Sequence, residues 1–266
     1  MARSPLLENF RTGKTSIGTI AMSPDMIDLC AHLGFDWVFI DQILSPFDFN
    51  QVHALITAAE AAGVTPVVRV QSCPWLGYDH RVSVDVFRLL SIGANFVLVS
   101  NSGKREIEEC LSMAGDWHRK ALWIHPFDSF EEWDPRTTEM EQNTFIIPHL
   151  ESVTAYEEFD ETLRLPGLKA FFFAMTDSSK VLSGGRKPDW YLPKLWDYVK
   201  RAVAYGAEHH IMIGANTSYA YDMDELVRRI KKLHDTGVRM IMVQSINFLA
   251  QVAVGGFLRE VKAEIS

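Results

Sequence analysis

Short, almost unbroken apolar runs alternate along the chain with longer stretches in which apolar residues recur every three or four positions. The short runs fall at residues 16–21, 37–40 (ending at Asp41), 66–70, 95–99, 144–150 (ending at Glu151), 169–174, 210–213 and 239–243. The longer ones fall at residues 26–33, 49–62, 84–92, 154–163, 192–205, 223–234 and 248–263. Several of the longer stretches stop at a glycine: Gly34, Gly63, Gly206 and, after Thr236, Gly237. Period-3.6 stretches ending in glycine predict helices. Runs apolar on both faces predict strands of a buried parallel sheet.

Eight strands separated by helices predict a parallel α/β fold. A doubly wound open sheet is the alternative, but no G-x-G-x-x-G follows any run. The 266 residues fit one barrel of about 250 residues. The expectation is therefore a single (β/α)8 TIM-barrel domain over residues 1–266. One region resists the pattern. Residues 116–143 hold an extra apolar run at 121–124, then Pro126, an acidic cluster and Pro135. They read as an excursion at the barrel mouth, with 121–124 as an alternative fifth strand.

Nearly half of the chain is hydrophobic (47%), and the net charge is −8. An acidic surface repels phosphate backbones, so no nucleic-acid partner is expected. Cys30, Cys73 and Cys110 are too scattered for a disulfide framework or a thiolate zinc site and read as structural thiols. The first residues lack an apolar segment of signal-peptide length, and no window approaches a membrane span. The expected location is the cytoplasm, with no membrane partner.

In such a barrel the chemistry lies at the C-terminal ends of the strands. The polar residues there are Asp41, Arg69, His149 with Glu151, Asp177, and further on Gln244 and Asn247. Glu151 ends one strand and Asp177 follows the next, so adjacent strands bring both carboxylates to one rim. Two close carboxylates repel unless a cation or a proton lies between them. Hard oxygen ligands with open positions suit Mg2+ or Mn2+. The competing reading makes each a helix cap, Glu151 before Ser152 and Asp177 before Ser178. Arg69, inside Val67-Val68-Arg69-Val70, needs a partner: a substrate oxygen, an ion pair with Asp41 or Glu151, or both. His149 shares a strand face with Glu151 and reads as ligand, general base or hydrogen-bonding core residue. His80, His118 and His125 are weaker candidates in loop-like stretches, and His209 and His210 fall at the opposite rim. Residues 183–187 read as a loop. Trp75, Trp123, Trp133 and Trp190 either wall a pocket or anchor a subunit interface.

In this order the residues resemble the HpcH/HpaI aldolase family, the class II pyruvate aldolases, over nearly the whole chain. The match rests on Gly34-Phe35-Asp36-Trp37-Val38-Phe39-Ile40-Asp41, on Val67-Val68-Arg69-Val70 and on Ile92-Gly93-Ala94. It continues in His149-Leu150-Glu151-Ser152, similar to Q-I-E-T, and in Leu165-Pro166-Gly167. It ends with Ala174-Met175-Thr176-Asp177-Ser178, similar to G-P-x-D-L-S. The resemblance implies a divalent metal (Mg2+ or Mn2+, with Co2+ a further option) on Glu151 and Asp177. It implies that Arg69 steadies the carbonyl or enolate oxygen of a 2-oxo-acid, and that the backbone at Thr176 and Asp177 holds the substrate carboxylate. It further implies C–C cleavage or formation beside a pyruvate-type enolate, and a homo-oligomer built on dimers, with a hexamer as one form. Residues 248–257 are apolar for a terminal segment, consistent with that assembly.

The chain departs from the family where its acid–base pair should stand. Ile43 and Leu44 occupy the usual Glu-His positions, Ser91 replaces the partner aspartate, and His149 replaces a glutamine. Residues 73–81 read as an insertion. His149 is then the expected replacement base. The expected activity is a metal-dependent lyase or aldolase with an atypical base. The alternatives are a homologue that binds but no longer turns over, or a related condensing enzyme. Retention of the mutually neutralising Glu151, Arg69 and Asp177 favours an enzyme.

Overall fold

Side chains alternate sides along a strand, and here that alternation separates two cores. The computed structural model describes residues 4–70, 82–121, 133–185 and 187–265. Its strands are β1 (Ser16–Ile20), β2 (Trp37–Asp41), β3 (Thr65–Arg69), β4 (Phe96–Ser100), β5 (Phe145–Leu150), β6 (Ala170–Phe173), β7 (Met212–Asn216) and β8 (Met240–Met242). They pair in sequence order, all parallel, and β8 returns to β1, so the sheet is a closed (β/α)8 barrel. The helices are α1 (Pro5–Arg11), α2 (Pro24–His32), α3 (Phe49–Ala62), α4 (Val82–Ser91), α5 (Lys104–Ala121), α6 (Trp133–Asn143), α7 (Val153–Glu157), α8 (Phe159–Leu163), α9 (Met175–Ser183), α10 (Pro193–His209), α11 (Met223–Thr236) and α12 (Ile246–Ile265).

One set of strand residues, among them Trp37, Phe39, Phe96, Leu98, Phe145 and Phe172, fills the barrel interior. The intervening set, among them Val38, Ile40, Val97 and Phe171, packs outward against the helices. The aromatic interior fits only because small residues face it. A methyl group on Gly18 would lie 2.1 Å from the Trp37 ring, and one on Gly214 would lie 2.4 Å from Phe172. At the N-terminal end α1 tucks Leu6 and Leu7 into the same interior cluster. Thr65 Oγ1 pins it by accepting from the Leu6 N–H at 3.2 Å.

The pattern of apolar runs placed all eight strands, and the differences have local causes. The strand predicted at 210–213 begins two residues later, because α10 runs through Gly206 to His209 and His210 turns left-handed (φ 57). Gly206 serves close packing there, since a methyl group would come within 2.6 Å of the Ile211 carbonyl. The helix predicted at 154–163 breaks into α7 and α8 at Glu158. The excursion opens on the last turns of α5 and closes with α6; β4 pairs directly with β5, so the fifth strand is Phe145–Leu150, and of the alternative at 121–124, Ala121 ends α5 while the other three lie outside the described residues. Trp190 is neither a pocket wall nor an exposed anchor: it is buried edge-to-face on Trp196. Cys30 and Cys110 are buried free thiols, and burial pushes both pKa values up. Trp75, His80, Trp123, His125 and the insertion at 73–81, with Cys73, lie outside the described residues. Among the described residues, no helix is long and apolar enough to cross a membrane.

Candidate functional site

The interior series continues upward from apolar to polar. On β2, Trp37 and Phe39 are followed by Asp41; on β3, Val67 is followed by Arg69. On β4, Phe96 and Leu98 lead to Ser100; on β5, Phe145 and Ile147 lead to His149 and then Glu151. Period 2 thus lifts one ring of polar side chains onto the top of the aromatic interior, at the C-terminal end of the barrel.

Register does the rest. Asp41 and Arg69 are direct cross-strand partners, and the guanidinium grips the carboxylate at two points, Nε to Oδ1 at 3.0 Å and Nη2 to Oδ2 at 2.5 Å. Asp41 Oδ1 also accepts from the Ile43 and Leu44 N–H groups, which fixes the loop after β2. The third guanidinium nitrogen, Nη1, faces Glu151 Oε2 at 4.0 Å. Arg69 therefore has the ion pairs expected of a buried arginine while one nitrogen stays turned toward the cavity.

Glu151 is clasped from two sides. Asn101 Nδ2 donates to its Oε1 at 2.8 Å, and His149 Nδ1 lies 3.3 Å from its Oε2. Burial drives the Glu151 pKa up to about 7, against the opposing pull of Arg69, while Asp177 and Asp41 add to the rise. His149 is 6% exposed, lies edge-on to Phe172, and has Ser100 Oγ 3.1 Å from Nδ1. Burial, reinforced by Arg69, lowers its pKa to about 3, so the imidazole is neutral. Its Nε2 is buried with no hydrogen-bond partner.

Asp177 comes from the next βα unit, as the third residue of α9. The residue before that helix is Ala174, which has no capping side chain. The first N–H groups of α9 are thus left for an outside acceptor. Thr176 Oγ1 is tied to Ser218 Oγ. The helix-cap alternatives fail at both carboxylates. Ser152 caps α7, and Asp177 lies inside α9 with Oδ1 held by Lys180 Nζ at 3.0 Å.

Glu151, Asp177, Arg69 and Asn101 line one cavity of about 510 Å3, together with Lys180, Val181, Ile43 and Leu44. His149 lies one layer below that lining, behind Glu151. Leu44 is 76% exposed, and Ser91 bonds the Phe87 carbonyl at the end of α4. Neither position of the family's acid–base pair carries a group that titrates. Among the described residues, no three His, Cys, Asp or Glu side chains cluster as a closed metal cage. Sequence reasoning missed Asn101, Ser100, Ser218 and Lys180. Asn101 and Ser218 are two of the three described non-glycine residues with positive φ, at 51° and 57°. Backbone strain of that kind collects at functional sites.

Known proteins resemble the chain throughout. A 2-dehydro-3,6-dideoxy-6-sulfogluconate aldolase of Pseudomonas putida is 23% identical over 171 residues, which is 62% of this chain and 64% of that protein. A 4-hydroxy-2-oxovalerate aldolase of Novosphingobium aromaticivorans is 23% identical over 249 residues, covering 91% of this chain and 88% of that one. The solved HpcH/HpaI aldolase of Desulfitobacterium hafniense superposes with a TM-score of 0.76 at 20% identity, covering 98% and 97% of the two chains. The family model for HpcH/HpaI aldolase/citrate lyase matches residues 19–245, and the chain belongs to that family.

Proposed function

We propose that this chain is a divalent-metal-dependent carbon–carbon lyase or aldolase working through the enolate of a pyruvate-type 2-oxo-acid. The observation that carries the reading is the Glu151 carboxylate. It is buried beside Asp177 and driven to a pKa of about 7, so its ionised form lacks enough positive charge around it. A Mg2+ or Mn2+ ion fits that deficit. Two carboxylates lining one cavity give hard oxygen ligands and leave the other positions to water and substrate. When bound, the metal acts as a Lewis acid that offsets negative charge developing on the substrate's carbonyl oxygen.

The protein's own groups do the rest. Arg69, held by Asp41, aims Nη1 at the same oxygen. The open N–H groups at Thr176 and Asp177 hold the substrate carboxylate. Asn101 keeps Glu151 turned into the cavity. His149 is neutral, the form that accepts a proton, but a pKa near 3 makes it a weak acceptor. Its Nδ1 faces Ser100 Oγ and Glu151 Oε2, and His149 is not among the residues that line the cavity. We therefore place His149 first as the residue that orients Glu151. It is a base only if a cavity water relays the proton. His149→Gln separates the two roles: kcat with an unchanged pH profile means positioning, and loss of the acid limb means a base. We propose further that the protein is a homo-oligomer, because α12 exposes Val254, Phe257 and Leu258 together.

Enolate chemistry is tested without knowing the second substrate. Pyruvate in D2O should exchange its methyl protons, followed by proton NMR, when the protein and Mg2+ or Mn2+ are both present. Exchange should vanish in Glu151→Ala and Asp177→Ala. No exchange by the unaltered protein with any divalent metal would overturn the reading.

A further inference from the structure

We infer that the N-terminal end of the barrel carries a second binding site, for a small organic anion with an apolar body. It lies at the face opposite Glu151 and Asp177 and does not depend on the reaction proposed there. A cavity of about 530 Å3 opens between the end of α1, the end of α10 and the turn from α11 into β8. That size is ordinary for a small-molecule pocket. Its floor is apolar, with Phe10, Ile211 and Ile213, and its basic side chains are Arg11, His210 and Arg239. Among the described residues, no carboxylate stands in the lining.

The two arginines are set apart from the rest. Every other arginine whose side chain is described either holds a carboxylate at ion-pair distance or, in the case of Arg164, lies over the Tyr205 ring. Arg11 and Arg239 do neither, and both line this one cavity, in a chain of net charge −8. Neutral groups hold them in place. The Arg239 N–H donates to the Ile213 carbonyl at 3.0 Å, and its carbonyl accepts from the Ser16 N–H at 2.8 Å. Its Nη1 donates to the His234 and Val238 carbonyls at 3.1 and 3.2 Å. Arg11 Nη2 donates to Asn143 Oδ1 at 3.3 Å. Each guanidinium keeps further N–H groups for an outside acceptor.

Helices α10 and α11 both end at this face, and free terminal carbonyls would repel an anion. Carbonyls there already have donors. The Gly206 carbonyl accepts from the Ile211 N–H, and the His234 carbonyl accepts from the Gly237 N–H as well as from Arg239. Glu208 and Asp235, acids on these last turns, are exposed and stay outside the lining. Planar guanidinium forks match a carboxylate or phosphate group, and the apolar floor takes the body that carries it. The ligand class is an aryl or alkyl carboxylate or phosphate monoester.

The test is calorimetric titration of the metal-free full-length protein with benzoate and with phenyl phosphate, which each join an anion to an apolar ring. Inorganic phosphate carries the anion alone, and benzyl alcohol the ring alone. At least one of the two ring anions should bind, and the better binder identifies the head group. Inorganic phosphate and benzyl alcohol should bind more weakly by roughly tenfold or more. Arg11→Met and Arg239→Lys should each weaken the better binder by roughly three- to tenfold. Ala207→Trp, which puts an indole into the cavity and leaves every cation in place, should abolish its binding. Thermal melting shows which variants fold, and Arg11→Met removes only an exposed side chain without an ion pair. No heat from either ring anion at millimolar concentration overturns the site. Binding that the folded variants leave unchanged overturns it too, by assigning the anion to the other end of the barrel. Inorganic phosphate binding as tightly as phenyl phosphate overturns the ligand class.

Discussion

Replacing Glu151 by Gln should stabilise the metal-free protein in alkali, although it removes a group at the heart of the site. The Glu151 pKa rises from an ordinary 4.5 to about 7 in the folded chain, chiefly through burial. A carboxyl with a raised pKa adds stability below its unfolded value, and that contribution is lost as pH rises through the folded value. Between those limits the loss amounts to about 3 kcal/mol, with the attraction of Arg69 already included. The neutral amide of the variant would mimic the protonated acid and keep its contact with Asn101, so the variant escapes this loss. His149 acts in the opposite direction and at lower pH. It is held neutral down to about 3 against an ordinary 6.5, so its contribution is lost as pH falls below the ordinary value. The comparison therefore belongs above that value. Urea unfolding in EDTA at about pH 8.5 should show Glu151→Gln the more stable by about 2–3 kcal/mol, with the gap narrowing toward about pH 6. Equal stability at the higher pH, or a gap independent of pH, would refute the reasoning. Adding Mn2+ should reverse the order.

Three further outcomes follow from packing and charge. Gly18→Ala should destabilise by about 1–3 kcal/mol or more, since the new methyl would fall on the Trp37 ring at 2.1 Å; thermal melting reads it. Arg69→Met should cost about 3–5 kcal/mol by leaving Asp41 buried without its ion pair, seen in urea unfolding, and should abolish pyruvate exchange. Sedimentation at micromolar concentration should show an oligomer, and Phe257→Asp with Leu258→Asp on α12 should shift it toward monomer; a monomer from the start contradicts the assembly.

The barrel was legible because its signal is redundant. Eight apolar runs of strand length, seven of them followed by an amphipathic stretch, leave little freedom once the sheet must close. What stayed hidden depends on contacts distant in sequence. Helix α1 holds its place by inserting Leu6 and Leu7 into an interior built from all the strands, which a short local pattern does not reveal. Gly206 reads as a stop but is a spacer for the Ile211 carbonyl. At the site, the strand-end positions of Asp41, Arg69, His149 and Glu151 were visible from alternation alone. Asn101 was not, because its role comes from a left-handed backbone that turns the amide toward Glu151. Lys180 was likewise invisible until α9 showed it one turn from Asp177. The depth of His149 also needed three dimensions: sharing a face with Glu151 placed it beside the site, while the two-residue step along the strand placed it underneath.

In the proposed function, Glu151 and Asp177 jointly hold a divalent cation with a 2-oxo-acid on its open positions. A crystal structure of the protein grown with Mn2+ and oxalate, which has the two adjacent oxygens of a 2-oxo-acid enolate, tests it most directly. Anomalous scattering should place one Mn2+ bonded to both carboxylates, with oxalate completing the coordination and reaching the α9 N–H groups near Thr176. A cation bound by one carboxylate alone, or oxalate bound elsewhere with no metal between Glu151 and Asp177, would contradict it.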